Sequence, residues 1–155
     1  MAKYNITERK EHAATYRTNI SPAVMDELQG KILQVLLIQK KYRDKEYSAK
    51  RLANDLGTNS RYISAVINLK FHVNYATLVN TYRVEEAMSI LVDKRYLGLT
   101  MEQVADMVGF SNRQSFYAAF YKLKDCTPRD YKINYLEQHG GNLEAKKKDK
   151  SKKKK

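Results

Sequence analysis

Apolar residues recur at helical spacing in seven separate stretches of the chain, and no stretch of useful length alternates as a strand would. Ser21 followed by Pro22 has the form of a helix start, and Met25, Leu28, Ile32, Val35, Leu36 and Tyr42 make the buried stripe of a helix predicted to about Arg43. Ser48 caps a second predicted helix, 49–56, which Gly57 ends. A third, 59–69, turns Ile63, Val66 and Ile67 inward. A longer helix is predicted over 75–94, with Tyr75, Leu78, Val79, Tyr82, Ala87, Ile90 and Leu91 as its apolar side. Thr100 with Gln103 fits a capping box, and Met101, Val104, Ala105 and Val108 then recur until Gly109. Ser111 with Gln114 repeats the signature ahead of a helix whose inner face is Phe116, Ala119, Phe120 and Leu123. Thr127-Pro128 opens the seventh helix, predicted to about His139.

Short helices joined by a tight glycine turn make a helix-turn-helix, and the pattern occurs twice. Ala53 and Gly57 stand four apart, as do Ala105 and Gly109. A small residue is needed where the helices cross, and a glycine where the turn takes positive φ. The expected fold is therefore all-α, a seven-helix bundle of two helix-turn-helix subdomains joined by a long linker helix. Its expected segments are an N-terminal arm over 1–20, a first subdomain over 21–73, the linker helix over 74–94 and a second subdomain over 95–139. Residues 140–155 follow as a lysine-rich tail, which cannot bury apolar surface and is expected to be disordered.

Ala105, Gly109, Phe110, Ser111, Phe116, Phe120, Thr127, Pro128 and Tyr131 together resemble the second helix-turn-helix of AraC/XylS-type bacterial transcription regulators. The stretch YATLVNTYRVEEAMSIL resembles the linker helix of the same family, through Tyr75, Leu78, Asn80, Arg83, Ala87 and Leu91. The departures are Tyr121-Lys122 where the family has Phe-Lys, and Cys126 where glycine is usual. The resemblance runs from about Leu28 to Gln138. It implies a sequence-specific DNA-binding transcription regulator that acts as a monomer on DNA, unless it is the output domain of a longer, dimeric protein. The family's base-reading positions fall on Arg61, Ser64 and Ala65, then on Arg113, Gln114 and Ala118. Double-stranded DNA is the expected partner, with RNA polymerase added if the protein activates.

Helix geometry bears on the same question from the residues themselves. In a helix-turn-helix the second helix enters the major groove and reads bases near its N-terminal half. With Phe116, Ala119 and Phe120 turned inward, the expected readers in the second unit are Asn112, Arg113, Gln114 and Tyr117; in the first they are Asn59, Arg61, Tyr62 and Ser64, with Ser60 and Ala65 beside them. Arginine matches a guanine edge bidentately, and Asn or Gln matches adenine. Phosphate contacts are expected from Lys70, Lys122 and Lys124, and from the start of the last helix at Thr127 and Arg129. A helix over 75–94 would span roughly 30 Å, near the roughly 34 Å between successive major grooves on one duplex face. Arg83 is expected to pack and pair between the subdomains.

The net charge of +12 needs to be localised before it is read. Residues 144–155 hold eight lysines against Glu144 and Asp149, half of the excess, so the body is also positive. A positive body suits the release of counterions from backbone phosphates, yet it equally fits a non-specific architectural or RNA-associated protein, the alternative function. Cys126 stands alone, which excludes an internal disulfide and a cysteine-rich metal site. Its place before a helix start is one that lowers a thiol pKa, but a structural role is preferred. His12, His72 and His139 show no ligand spacing, so no metal, cofactor or enzymatic activity is expected. Without a signal-peptide run or about 18 continuous apolar residues, the expected setting is the cytoplasm, at the nucleoid, away from membranes.

Overall fold

The computed structural model describes residues 20–139; the arm up to residue 19 and the tail over 140–155 lie outside them. The described chain is helical, with no strands among its residues. Helix α1, Pro22–Leu33, starts where Ser21 Oγ accepts a bond from Val24 N at 3.2 Å. Ile20, assigned by sequence to the arm, is buried one position before that cap, where a hydrophobic staple sits. The predicted run to Arg43 is not one α-helix. Past Leu33 it widens into a π-helical turn, Gln34–Ile38, closed by Gln39 N–H on Gln34 O at 3.0 Å, and Lys40 then takes a left-handed φ of 52°. A 3₁₀ turn, Lys41–Arg43, returns Tyr42 to the core, so the stripe survives although the helix does not.

Helix α2, Ala49–Asp55, and helix α3, Ser60–Val66, form the first helix-turn-helix. Its turn is a Schellman motif: Thr58 N–H bonds Ala53 O at 2.9 Å and Gly57 N–H bonds Asn54 O at 3.2 Å, with Gly57 at φ 68°. Asn59 Oδ1 caps α3 through Tyr62 N at 2.9 Å, and a second π-helical turn, Ile67–Phe71, carries the chain to His72 at φ 61°. Helix α4, Tyr75–Leu91, ends three residues before the predicted 94. There the Asp93 carboxylate accepts from Arg95 N at 2.9 Å and starts a 3₁₀ turn, Lys94–Tyr96. At 1.5 Å per residue α4 is about 26 Å long.

Helix α5, Met101–Val108, has the expected capping box, with Thr100 Oγ1 and Gln103 Oε1 accepting from each other's backbone N–H at 3.1 and 2.8 Å. Its turn repeats the first: Phe110 N–H bonds Ala105 O at 2.9 Å and Gly109 N–H bonds Asp106 O at 3.2 Å, with Gly109 at φ 104°. Helix α6, Arg113–Lys124, is capped by Asn112, whose Oδ1 accepts from Ser115 N at 2.7 Å. The predicted cap at Ser111 is thereby corrected. The turn is one residue longer than in the first unit, and it puts the side-chain amide of Asn112 over the third helical N–H. Asp125, left-handed at φ 59°, stops α6, and helix α7, Pro128–His139, follows with Thr127 Oγ1 accepting from Asp130 N at 3.1 Å.

The chain divides into two compact units between Tyr82 and Arg83, inside α4. The first unit packs Leu28, Ile32, Leu36, Leu52, Ile63 and Val66 into a core that takes Leu78 and Val79 from α4. The second takes Val84, Ala87 and Leu91 from the same helix and joins them to Val104, Val108, Phe116 and Phe120. Ala53 and Ala105 are both buried, as the small-residue requirement demands. A line of rings from Phe110 through Phe116 and Phe120 to Tyr131, with centroids 5.3, 5.9 and 5.7 Å apart, fixes α6 against α7.

Candidate nucleic-acid interface

In the second unit the inner face of α6 is occupied by Phe116 and Phe120, both fully buried, and the start of the helix is left open. Residues 111–115 are all exposed, and Ala118, Tyr121 and Lys122 continue that face. Arg113 and Gln114 therefore stand where the sequence placed them. Arg113 lies over the Tyr117 ring, Cζ to centroid 4.8 Å, and its Nη2 donates to the Tyr117 hydroxyl at 3.4 Å. That bond, followed by the electrostatics of Tyr117 and of Glu102, holds the guanidinium even further above the range in which it would lose its charge. Tyr117 is half-buried, edge-on to Phe116, so its ring supports Arg113 as well as presenting a hydroxyl. Asn112 is exposed, but its Oδ1 already holds the helix N-terminus.

The first unit offers less. Arg61 is exposed at the second position of α3, and Asn59 resembles Asn112 in being exposed with its carbonyl used as a cap. Tyr62 packs against the core and Ser64 is half-buried. Ala65 is fully enclosed, which corrects its expected outward position beside the readers and takes it out of reach of a base edge. Helix α3 lies against both α1 and α2, so its exposed arc is narrower than a single helical wheel suggests.

Of the cations assigned to phosphate, two are already engaged. Lys70 Nζ pairs with Asp26 at 2.7 Å and Lys124 Nζ with Glu85 at 2.9 Å. Lys122 and Arg129 are exposed. At the start of α7 Pro128 has no N–H and that of Asp130 is taken by Thr127, which leaves Arg129 N–H as the backbone donor at that end. Arg83 stacks its guanidinium 5.7 Å from the Phe110 centroid, in keeping with a packing role.

A recess missed in the sequence opens beside Arg113. Its volume is about 310 Å³, and it is lined by Leu99, Thr100, Met101, Arg113, Tyr117, Arg129, Lys132 and Ile133. Three helices contribute to it, so no local pattern announces it. Lys132 Nζ is steadied there by Leu97 O at 2.7 Å. Cys126 is half-buried, and desolvation, followed by the carboxylates of Asp130 and Asp125, pushes its thiol pKa up; the lowering expected from a helix start is outweighed. His139 stacks on Tyr135, ring centroids 4.3 Å apart, and no metal-ligating cluster occurs among the described residues. No described helix is long and apolar enough to cross a membrane.

Comparison with known proteins places this geometry. The model of a helix-turn-helix domain family matches residues 52–133. An uncharacterised HTH-type transcriptional regulator of Bacillus subtilis (strain 168) is 25% identical over 89 residues, 57% of this chain and 11% of that protein's length. Among solved structures, the C-terminal domain of the two-component response regulator yesN from Fusobacterium nucleatum is similar at 25% identity and a TM-score of 0.58, over 67% of this chain and 98% of that one. The DNA-binding domain of AdpA, a global transcriptional factor whose structure was solved with its target DNA, shares the fold at 16% identity and a TM-score of 0.62, over 72% of this chain and 95% of that one. The matched span includes both glycine turns, α4 and the exposed start of α6, and the chain belongs to the AraC-type helix-turn-helix family of DNA-binding transcription-regulator domains.

Proposed function

We propose that the protein is a sequence-specific transcription regulator that sets α3 and α6 into adjacent major grooves of one duplex as a monomer. The observation that carries this reading is the repeat of one turn, Ala53 to Thr58 and Ala105 to Phe110, each leading into a helix with an exposed, polar N-terminal end. Arg113 and Gln114 are the principal base readers, Arg61 the reader of the first unit, and Asn59, Tyr62, Ser64, Asn112 and Tyr117 flank them. Arg113 forks onto guanine O6 and N7, and Gln114 pairs with an adenine edge. Lys122, Arg129 and the Thr127 helix start hold backbone phosphate at once, while Lys70 and Lys124 exchange their carboxylates for phosphate on binding. Where the regulator activates, RNA polymerase is the second partner, and the nucleoid is the site of action.

The test is a selection from random duplexes, followed by insertion of half a helical turn, about five base pairs, between the two selected half-sites. Loss of the tight complex is expected, because the two readers would then face different sides of the duplex. Undiminished binding would overturn the two-groove reading. A second arm removes residues 144–155. If the shortened chain prefers no selected duplex over random DNA, binding is charge-driven and the protein is an architectural one.

A further inference from the structure

The recess beside Arg113 joins two features that a phosphate-binding edge does not need together. Its lining combines half-buried apolar side chains, Leu99, Met101 and Ile133, with three cations, Arg113, Arg129 and Lys132. No carboxylate lines it; Glu102 belongs to an adjoining notch that shares Arg113. Its volume of about 310 Å³ lies at the lower end of the range for small-molecule sites. A duplex phosphate would satisfy the cations and leave the apolar side chains unused. A small organic carboxylate with a hydrocarbon body satisfies both, since burying its apolar carbons supplies affinity and the guanidinium and ammonium groups orient its charge. We infer that this recess is a binding site for a small amphipathic carboxylate, and that its occupant competes with DNA for Arg113. The competition rests on the reading of Arg113 as a base reader: a guanidinium forked onto a bound carboxylate cannot also fork onto a guanine.

The probe is phenylbutyrate, titrated into the full chain without DNA and followed by amide NMR. Saturable shifts are expected at Tyr117, Lys132 and Ile133. Phenylbutanol, which has the body without the charge, and inorganic phosphate, which has the charge without the body, are each expected to bind at least about tenfold more weakly. Ile133→Glu puts a carboxylate into the apolar part of the lining and is expected to weaken phenylbutyrate by about tenfold or more, while Ile133→Val, which keeps that part apolar, retains it. The NMR spectrum itself reports whether each variant is folded. Phosphate binding as tightly as phenylbutyrate, or the absence of saturable shifts, would overturn the site. Phenylbutyrate is then expected to weaken the wild-type complex with its selected duplex and to leave that of Ile133→Glu unchanged; equal sensitivity of the two would overturn the competition. If Arg113→Ala leaves duplex choice unaltered, the base-reading role fails, and the DNA-free titration still judges the recess.

Discussion

The two helix-turn-helix units share one turn and differ in what they leave open. Measured from the buried anchors Ile63 and Phe116, Ala65 and Ala118 occupy the same helical position, yet Ala65 is enclosed and Ala118 is exposed. Between the turn and the helix that follows it the second unit has one residue more, so that Asn112 caps α6 three residues after Gly109, whereas Asn59 caps α3 two residues after Gly57. A shared local motif therefore fixes how the first helix of each unit ends, while the helices packed around the second decide how much of it can meet a partner. On the reading proposed above, the second unit supplies most of the base contacts.

The comparison is open to attack at several levels. The largest expected effect is at the core: Phe116→Ala should cost about 3–5 kcal/mol and Ile63→Ala about 2–5 kcal/mol in denaturant unfolding, because each empties a fully buried anchor. Two separate transitions, each moved by only one of the variants, would show that the units unfold independently. Next comes readout. Arg113→Ala should weaken the selected duplex roughly ten- to a hundredfold and random DNA far less, and Arg61→Ala should do the same more weakly, as judged by competition binding. Equal losses on selected and random DNA would remove specific readout, and a larger loss at Arg61 would reverse the ranking of the units.

Turn chemistry gives a finer contrast. Gly57→Ala meets no atom within 4 Å of its new Cβ, so its cost is that of the left-handed backbone alone, about 1–2 kcal/mol in thermal unfolding. Gly109→Ala should cost more, since φ 104° lies further from any conformation alanine adopts and the position is buried. The smallest effect separates two neighbours: Asn112→Ala should cost about 1 kcal/mol and Ser111→Ala nearly nothing, because only Asn112 caps α6. A larger cost at Ser111 would restore it as the cap.

Most of the fold is legible in the sequence. The capping box at Thr100 and Gln103, the Ala-Gly pairs of both turns and the inward sets of α3, α5 and α6 all depend on spacings of no more than four residues from one position to the next, a range over which helix geometry is nearly invariant. The sequence misleads where that range is exceeded or where two local signals compete. Apolar spacing alone did not show the π-helical turn and left-handed Lys40 that break the first helix, because Tyr42 stays on the stripe across the break. At 111–112 serine and asparagine are both good caps, and the extra turn residue chose between them.

By itself the sequence determined the seven helices of the described residues, two repeated turns and an arginine at the head of each unit's second helix, since period, cap and glycine stop are local properties of a chain. Tertiary structure alone decided that Ala65 is closed and Ala118 open, that Arg113 rests on Tyr117, and that Leu99, Arg129, Lys132 and Ile133 gather around it. Those outcomes depend on which distant helix lies alongside, and burial and charge then follow from neighbours that no local spacing specifies.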